Sequence, residues 1–353
     1  MKLVITGATG NVGTSLLAAL RTDTAVDEIV GISRRPAGID EPRVCFVTAD
    51  ITHDDLDEHF RGADVVVHLA WLIQPSRDDR QLHAVNVDGS RRVFEAAARA
   101  QVRALVHASS VGTYARGPKD RAVDESWPAT GIPSLFYSRH KAECERLLDI
   151  LEREHPNMRV VRMRPALIFK REAATEIRRL FAGPLVPSPL IRRELIPFVP
   201  DIPRLRFQAV HSLDVGEAYR LAATGDARGA FNIAADPVID PEVLSELLGA
   251  RRLPLRGGVL RAAADVTWRL HLQPAPAGWI DLALGVPIMD TTRARTELGW
   301  QPTRSATASL QELLDGMRDS ADFPTPPLAG RSGGPMRGRE VATGVGARGG
   351  IER

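Results

Sequence analysis

The sequence has few of the features that mark several large classes of protein. Its 353 residues include only two cysteines, Cys45 and Cys144, with no CxxC pair and no cysteine–histidine cluster, which argues against a disulfide scaffold and a metal centre. Lysine and arginine exceed aspartate and glutamate by only 46 to 44, so no strong attraction to nucleic acid is implied. No apolar run is long enough to cross a bilayer. We therefore expect a protein of the reducing cytoplasm that binds no nucleic acid, no membrane and no metal.

Strands and helices alternate along the first half of the chain. Short apolar runs at 2–6, 28–33, 44–49, 64–70, 103–110 and 160–169 are typical of buried strands, with helical patterns between them. This alternation predicts an α/β fold with a doubly wound parallel sheet. We expect 1–169 to form one domain, to which 207–224 returns, and 170–206 with 225–318 to form a smaller C-terminal α/β substrate domain. The tail 319–353 is rich in Pro, Gly and Arg, and we expect it to be disordered.

Residues 1–13 have the pattern of a strand, a glycine turn and the start of a helix. Gly7, Gly10 and Gly13 follow the apolar strand at three-residue spacing. Gly7 permits a tight bend, Gly10 lets a pyrophosphate approach the backbone, and Gly13 lets the helix pack against the strand. The free N–H groups at the helix N-terminus attract phosphate charge. The stretch therefore predicts a dinucleotide-binding site, with an ordinary glycine turn as the alternative.

The end of the second strand reads Ser33-Arg34-Arg35-Pro36, where the adenosine ribose of a bound dinucleotide normally lies. An acidic residue there would accept bonds from both ribose hydroxyls and repel a 2′-phosphate. Arg34 can instead stack on adenine and pair with a 2′-phosphate. This favours NADP over NAD; the alternative is that Arg34 and Arg35 are solvated loop charges.

Three polar residues near later strand ends have structural as well as functional interpretations. Asp50 and Ile51 close the third strand, where the carboxylate can bond the adenine amino group while Ile51 covers the ring; Asp50 can equally cap a turn with Thr52. His68 lies in an apolar strand, and we interpret it as a core histidine. We interpret Asn86 as a structural amide that joins backbone segments.

Tyr137 and Lys141 are four residues apart in a helical pattern, so their side chains lie on one face, a turn apart. A phenol with a pKa of about 10 is a poor acid or base at neutral pH, and we expect the nearby ammonium, together with the positive nicotinamide ring, to lower that pKa. Ser110 ends the fifth strand and can bond a substrate oxygen while Tyr137 moves its proton. Since ligands of such sheets bind beyond the carboxyl ends of the strands, this set predicts hydride-coupled interconversion of a carbonyl and an alcohol.

Several stretches, in this order, resemble the extended short-chain dehydrogenase/reductase superfamily, specifically its NAD-dependent epimerase/dehydratase family. They are Thr6-Gly-Ala-Thr-Gly-Asn-Val-Gly13, Asp50-Ile51, His68-Leu-Ala70, Asn86-Val-Asp-Gly-Ser90, Ser109-Ser110, Tyr137-Ser-Arg-His-Lys141, Arg164-Pro165 and Val210-His-Ser-Leu-Asp214. The resemblance covers residues 1–235 and implies a Rossmann domain with a catalytic set of Ser110, Tyr137 and Lys141. It implies an NADP or NAD site, NADP being favoured, formed by Gly7, Thr9, Gly10, Asn11, Val12, Arg34, Asp50, Ile51, Leu69, Ala70, Tyr137, Lys141 and Pro165. Family members often dimerise through helices corresponding to 86–99 and 137–151, which implies a homodimer.

Two departures from the family pattern bear on the substrate. Nucleotide-sugar enzymes of this family usually carry an Asn shortly after the Arg-Pro strand, whereas this chain reads Pro165-Ala-Leu-Ile-Phe-Lys170. They also usually carry an Arg just before the strand ending in Val-His; here that slot is nearest Phe207, with Arg204 and Arg206 upstream. Both departures weaken the case for a nucleotide diphosphate anchor. The candidates for a more apolar pocket lining are Trp71, Phe169 and Phe181, each of which could equally be a core residue.

We therefore expect an NAD(P)-dependent oxidoreductase or epimerase that acts at a secondary alcohol or ketone of a small molecule, with nucleotide sugars as one substrate class. One alternative is an NADP-dependent ketone reductase with a non-sugar substrate. The other is a binding protein that senses NAD(P) without turnover. Sensing relatives of this fold tend to lose the Tyr or the Lys, and this chain has both.

Overall fold

The computed structural model describes residues 1–73, 77–181 and 196–329. The strands are β1 Lys2–Thr6, β2 Glu28–Ser33, β3 Val44–Thr48, β4 Val65–His68, β5 Ala104–Ala108, β6 Ala122–Val123, β7 Arg159–Pro165, β8 Leu167–Phe169, β9 Phe198–Asp201, β10 Phe207–His211, β11 Gly229–Ile233, β12 Ala235–Ile239, β13 Arg251–Pro254 and β14 Ile288–Met289. The helices are α1 Asn11–Leu20, α2 Asp57–Phe60, α3 Asp79–His83, α4 Gly89–Arg99, α5 Phe136–Glu154, α6 Ala174–Phe181, α7 Ser212–Thr224, α8 Pro241–Leu248, α9 Gly257–Arg269, α10 Gly278–Gly285, α11 Thr292–Glu297 and α12 Ala306–Arg318. A π-helical segment, Ala84–Asp88, joins α3 to α4, and 3₁₀ turns occupy Val111–Thr113 and Arg171–Ala173.

The centre of the molecule is a parallel seven-stranded sheet in the order β11-β7-β5-β4-β1-β2-β3. Its strands are apolar on both faces because each face is covered by helices. Leu3 and Ile5 of β1 belong to the core beneath α1 and α7, whereas Val4 between them faces the core beneath α4 and α5. The predicted doubly wound parallel sheet is therefore confirmed, and the carboxyl ends of its strands share one edge.

The partition of strands between domains differs from the expected one at two places. β11 falls within the predicted substrate segment 225–318 but pairs with β7 as the edge of the main sheet. β8 ends the predicted first domain at 167–169 but joins β10 and β12 in a separate three-stranded sheet. A short apolar run predicts a strand without specifying its partner, because the pairing depends on distant parts of the chain.

The start of the predicted disordered tail is also wrong. Residues 319–329, which we call the C-terminal strap, fold back onto the protein after α12. Thr325 and Leu328 are fully buried, and the Thr325 carbonyl accepts bonds from the N–H groups of Leu328 and Ala329 at 3.0 and 2.9 Å. The Thr175 hydroxyl donates to the Ala321 carbonyl at 3.0 Å. The rest of the tail, 330–353, lies outside the described residues.

Neither cysteine forms a disulfide; Cys45 is exposed and Cys144 is buried. Within the described ranges, no helix has the length and apolarity that a membrane span requires.

Candidate active site

Ser110, Tyr137 and Lys141 converge beyond the carboxyl end of β5. Ser110 follows that strand, and its Oγ accepts the Gly112 N–H at 3.0 Å, which fixes the hydroxyl at the start of a 3₁₀ turn. Tyr137 and Lys141 project from the first turns of α5, and the Ser110 hydroxyl is near enough to the Tyr137 phenol to influence its pKa. The Lys141 Nζ lies 5.8 Å from the centre of the Tyr137 ring.

Gly112 is a site residue that sequence reasoning missed. A Cβ at this position would lie 2.9 Å from Cε1 of Tyr137. Such an approach is closer than van der Waals contact allows, so a side chain at residue 112 would displace the phenol from Ser110. The sequence Ser110-Val-Gly112 gives no local sign of this contact, because it depends on how α5 packs.

Burial dominates the electrostatics of the Tyr137 and Lys141 pair in the protein alone. Lys141 is buried, donates from Nζ to the Ala108 carbonyl at 2.5 Å, and has its pKa lowered to about 7 by that burial. Burial raises the pKa of the Tyr137 phenol, and the hydrogen bond from Ser110 opposes that rise in part. The expectation that the ammonium and a positive nicotinamide ring together lower the phenol pKa concerns the protein with cofactor bound and stays a prediction; in the protein alone the ammonium bonds a carbonyl and is itself desolvated.

Two tryptophans flank the Tyr137 ring. Trp71 follows β4 and meets Tyr137 edge to face, with 6.0 Å between the two ring centres. The Lys141 Nζ lies 3.3 Å from the centre of the Trp71 ring. Trp279 lies at the start of α10, and its ring centre is 5.3 Å from that of Tyr137. Gly278 permits this approach, because a Cβ there would lie 2.6 Å from the Ser134 carbonyl oxygen just before α5.

Of the other aromatic candidates, Phe169 does not share this position. It is buried in the core formed by the three-stranded sheet and α12, which explains its apolar character without a ligand. The side chain of Phe181 lies outside the described part of the structure. Trp279 was missed because it is far from Tyr137 in sequence and belongs to no recognisable motif.

The glycine turn has the geometry that its spacing predicts. Gly7 has a φ of +78°, and a Cβ on it would lie 2.7 Å from the Ala70 nitrogen. A Cβ on Gly13 would lie 2.4 Å from the Gly7 carbonyl oxygen. The protein itself therefore needs both glycines. At Gly10 a Cβ would make only ordinary contact, at 3.4 Å, with Gly7, so the fold would tolerate a side chain there.

The Gly10 position and its neighbour Asn11 are open to a ligand. Gly10 is the N-cap of α1 and carries no capping side chain, which leaves the first N–H groups of the helix free of a side-chain partner. Asn11 Oδ1 is buried, and within the described residues it has no hydrogen-bond partner. Thr9 is buried beside the turn and Val12 is half-buried. The free backbone N–H groups form a cradle suited to a phosphate. Asn11 Oδ1 is an acceptor and can pair only with a donor group of a ligand.

Of the residues predicted to contact the adenosine, Arg34 is exposed, whereas Asp50 already accepts hydrogen bonds within a turn. Arg34 is exposed after β2, while Arg35 is half-buried and its pKa is lowered by burial and by Arg34. Asp50 Oδ1 accepts the N–H and hydroxyl of Thr52 at 2.9 and 2.7 Å, so the turn interpretation of Asp50 is confirmed. Its other oxygen is not used in that turn. Ile51 is buried next to it.

The structural interpretations of His68 and Asn86 are confirmed. His68 bonds Thr6 through Nδ1 at 2.6 Å and Ser90 through Nε2 at 2.8 Å, and burial lowers its pKa to about 3. The Asn86 amide donates to and accepts from the backbone of Leu72 at 2.7 Å each. These bonds anchor the segment that carries Leu69, Ala70 and Trp71. Leu69 and Ala70 are half-buried, and Pro165 ends β7 in a buried position.

A buried ion pair behind Ser110 was also missed. Glu145, one turn after Lys141 on α5, accepts the Ser109 hydroxyl at 2.6 Å and both Nε and Nη2 of Arg164 at 2.9 Å. Burial alone would raise the pKa of Glu145, but the bonds from Arg164 keep it below its usual value. Arg164 also donates to the Tyr114 hydroxyl at 3.0 Å. The pair ties β5, α5 and β7 together directly behind the catalytic set.

The cations nearest the expected diphosphate anchor are bonded to backbone carbonyls. Arg204 donates to the carbonyls of Leu284 and Gly117 at 2.9 and 2.8 Å. Arg206 donates to the Lys119 carbonyl at 2.8 Å, and Lys119 donates from Nζ to the Arg206 carbonyl at 2.7 Å. These bonds join the loop before β10 to the segment that follows the 3₁₀ turn at Val111–Thr113.

Comparison with known proteins gives a family and a fold. Residues 3–182 match the family model described as the NAD dependent epimerase/dehydratase family. A ketoreductase of Stigmatella aurantiaca, named for 4-hydroxy-2-methyl-3-oxo-4-farnesyl-3,4-dihydroquinoline-1-oxide, is 27% identical over 91% of this chain and 96% of its own length.

Among solved structures, the UDP-glucuronic acid 4-epimerase of Bacillus cereus in complex with NAD superposes with a TM-score of 0.67 at 19% identity, covering 91% of this chain and 100% of the other. The UDP-glucose 4-epimerase of Thermus thermophilus in complex with NAD gives 0.65 at 18% identity, covering 90% of this chain and 99% of the other. At such identities the superpositions show a shared fold.

Proposed function

Because the chain belongs to the NAD-dependent epimerase/dehydratase family, we propose that it catalyses hydride transfer at a secondary alcohol or ketone with Tyr137 as the acid/base. The observation that carries the proposal is the convergence of Ser110, Tyr137 and Lys141 at the carboxyl edge of the sheet, where the Ser110 hydroxyl and the Tyr137 ring both lie against Gly112. A hydroxyl pair of this kind can hold one oxygen and move one proton, which carbonyl–alcohol interconversion requires.

The residues present fit a nicotinamide dinucleotide. A pyrophosphate would lie on the N-terminus of α1 beside Gly10, Asn11 and Val12, where no capping side chain occupies the free backbone N–H groups. When bound, the nicotinamide donates hydride to the substrate carbon or accepts hydride from it. Lys141 would bond the nicotinamide ribose, and Leu69 and Ala70, which are half-buried, would line the cofactor site.

In the reduction direction, the protein's own groups handle the oxygen. The Ser110 hydroxyl donates to the carbonyl oxygen and holds it beside the phenol. Tyr137 gives its proton to that oxygen as the alcohol forms, and the Lys141 ammonium stabilises the phenolate that remains. In the oxidation direction the same phenolate removes the hydroxyl proton. The Glu145–Arg164 pair keeps Ser110 and α5 at a fixed separation throughout.

The proposal includes a preference for NADP, which rests on Arg34. This guanidinium is exposed after β2, close to where the adenosine ribose lies in such sheets. Replacing Arg34 with Ala should weaken NADP binding about tenfold while changing NAD binding little, because a charge-assisted bond to a phosphate is lost. Calorimetric titration with each cofactor measures this; equal affinities of the unaltered protein for NADP and NAD would count against the preference.

The test of the main proposal is a panel of ketones, secondary alcohols and nucleotide sugars, assayed with both cofactors. With the best substrate, Tyr137→Phe should lower kcat by about 10²-fold or more, since general acid–base catalysis contributes that much. The affinity for cofactor should change little. Unchanged turnover in Tyr137→Phe would show that the catalytic assignment is wrong, and cofactor binding without turnover on the whole panel would favour a sensing protein.

A second candidate, reduction of an apolar ketone, is favoured by the surroundings of Tyr137. Trp71 and Trp279 flank the phenol, and Arg204 and Arg206 are bonded to carbonyls rather than left facing a ligand. The relative from Stigmatella aurantiaca bears the name of a ketoreductase acting on a farnesylated ring ketone. In the same panel this candidate predicts turnover of bulky apolar ketones with NADPH and none of nucleotide sugars.

A further inference from the structure

Lys170 is a buried cation that the proposed mechanism leaves without a role. It follows β8, is only 5% exposed, and extends across to the first turn of α1. Its Nζ donates to the Asn11 carbonyl at 3.1 Å, the Thr14 hydroxyl at 2.7 Å and the Ser15 hydroxyl at 3.3 Å. The ammonium therefore lies within one helical turn of the phosphate cradle at Gly10 and Asn11.

The charge of Lys170 is unbalanced at short range. All three oxygens that it contacts are neutral, and within 1–73, 77–181 and 196–329 no carboxylate lies within ion-pairing distance of it. The first turn of α1 has no acidic residue, and the N-terminus of a helix carries partial positive charge of its own. Burial lowers the pKa of Lys170 to about 8, while the more distant Glu172 and Glu176 oppose that change. A protonated lysine in this position is stabilised by an anion nearby.

The C-terminal strap shields this corner from water. The ring centre of Phe323 is 5.8 Å from the Lys170 Nζ. The Pro324 carbonyl oxygen would be 2.8 Å from a Cβ on Gly38, so the next residue of the strap touches the loop that follows Arg34. Since solvent screening is reduced at buried sites, the ammonium acts on a nearby anion with more than its surface strength.

We propose that Lys170 is a further cofactor-binding residue, whose buried ammonium supplies counter-charge to the pyrophosphate that lies on the N-terminus of α1. The inference rests on the proposed function, because it requires that a dinucleotide occupies the glycine turn. Lys170 acts from the side of the helix and leaves the backbone N–H groups to make the direct bonds. The anion in turn relieves the cost of a buried, unpaired cation.

The experiment compares Lys170→Gln with the unaltered protein. Glutamine retains a hydrogen-bond donor for Thr14 and Asn11 while removing the charge, and Lys170→Met removes both. Affinities for NAD, NADP and adenosine are measured by calorimetry at low and high salt, and folding is checked by circular dichroism. We expect Lys170→Gln to weaken NAD and NADP about tenfold each and to leave adenosine, which has no phosphate, unchanged. The salt dependence of dinucleotide binding should decrease.

Lys119→Gln is the matched control, because Lys119 is also 5% exposed and bonds only backbone carbonyls, away from α1. It should keep the dinucleotide affinities of the unaltered protein. If Lys170→Met fails to fold, Lys170→Gln and the salt series still show whether the charge of Lys170 contributes to dinucleotide affinity. Dinucleotide affinities within twofold of the unaltered protein in a folded Lys170→Gln would overturn the inference. A loss confined to NADP would also overturn it, since the charge would then act on the 2′-phosphate. Failure of the unaltered protein to bind any dinucleotide would refute the proposed function instead.

Discussion

Lys141, which we propose as a catalytic residue, has a pKa that burial lowers to about 7. A lysine with this pKa is charged below neutrality and loses its charge above it. Because the proposed mechanism uses the ammonium to stabilise a phenolate and bond a ribose, kcat/KM for the cofactor should fall as the pH rises through about 7, the pKa of the free enzyme. A series of initial rates from pH 6 to pH 9 measures this. Lys141→Arg, whose charge persists, should have a lower rate but no such decline.

Loss of folding cannot produce the same decline. The pKa of Lys141 is lower in the folded protein than its ordinary value of 10.5, so the unfolded chain binds more protons between the two values. This group therefore makes the folded protein more stable, relative to the unfolded chain, as the pH rises from about 7 to 10.5. Urea unfolding across the same pH series separates the effects. A kcat/KM that stays flat above pH 7 would exclude Lys141 as the controlling group.

Residue types and short spacings predicted Ser110, Tyr137 and Lys141 because these residues recur in a fixed local pattern on one strand end and one helix face. The same reasoning could not find Gly112, Glu145 or Trp279. Each acts through a contact made only after α5 packs against the Val111–Thr113 turn, β7 or α10. The burial that raises the pKa of Tyr137 in the protein alone could not be predicted for the same reason, since burial is a property of the packed molecule.

At the scale of elements, the C-terminal strap is the largest departure from expectation. Leu328 is fully buried at a point where the composition predicted disorder. Leu328→Ala should therefore lower the free energy of unfolding by about 2 to 5 kcal/mol, as for other buried leucines. Chemical denaturation at equilibrium measures the change. The matched control is a chain ending at Ala329, which keeps the strap and should unfold like the full-length protein.

If Leu328→Ala is as stable as the unaltered chain, the strap contributes nothing to folding and the expected disorder extends to 319. The composition of 319–353 is dominated by its later glycines and arginines, which obscured the few apolar residues at its start. A compositional argument averages over a segment, whereas burial depends on single side chains such as Leu328 and Thr325.

At the scale of the whole molecule, the alternation of strands and helices predicted the doubly wound sheet. The glycine turn after β1 indicated that the ligand site lies at the carboxyl ends of its strands. The sequence did not predict that β8 belongs to the three-stranded sheet and β11 to the seven-stranded sheet, because both are short apolar runs with no signal for their partners. The strand that returns late in the chain, β11, completes the sheet beside β7 and carries Asn232, which accepts the Tyr114 hydroxyl at 2.6 Å. Segments that are distant in the chain therefore contribute to the same sheet.

The placement of Trp71 and Trp279 gives the protein an optical probe of its own. Two of its five tryptophans lie in ring contact with Tyr137, and a reduced nicotinamide ring absorbs light at the wavelengths that indoles emit. Binding of NADH or NADPH therefore has a direct spectroscopic readout in the unlabelled protein, and single Trp→Phe replacements can assign the signal to one wall of the site. The two tryptophans that we propose to lie beside the substrate would therefore also report cofactor binding.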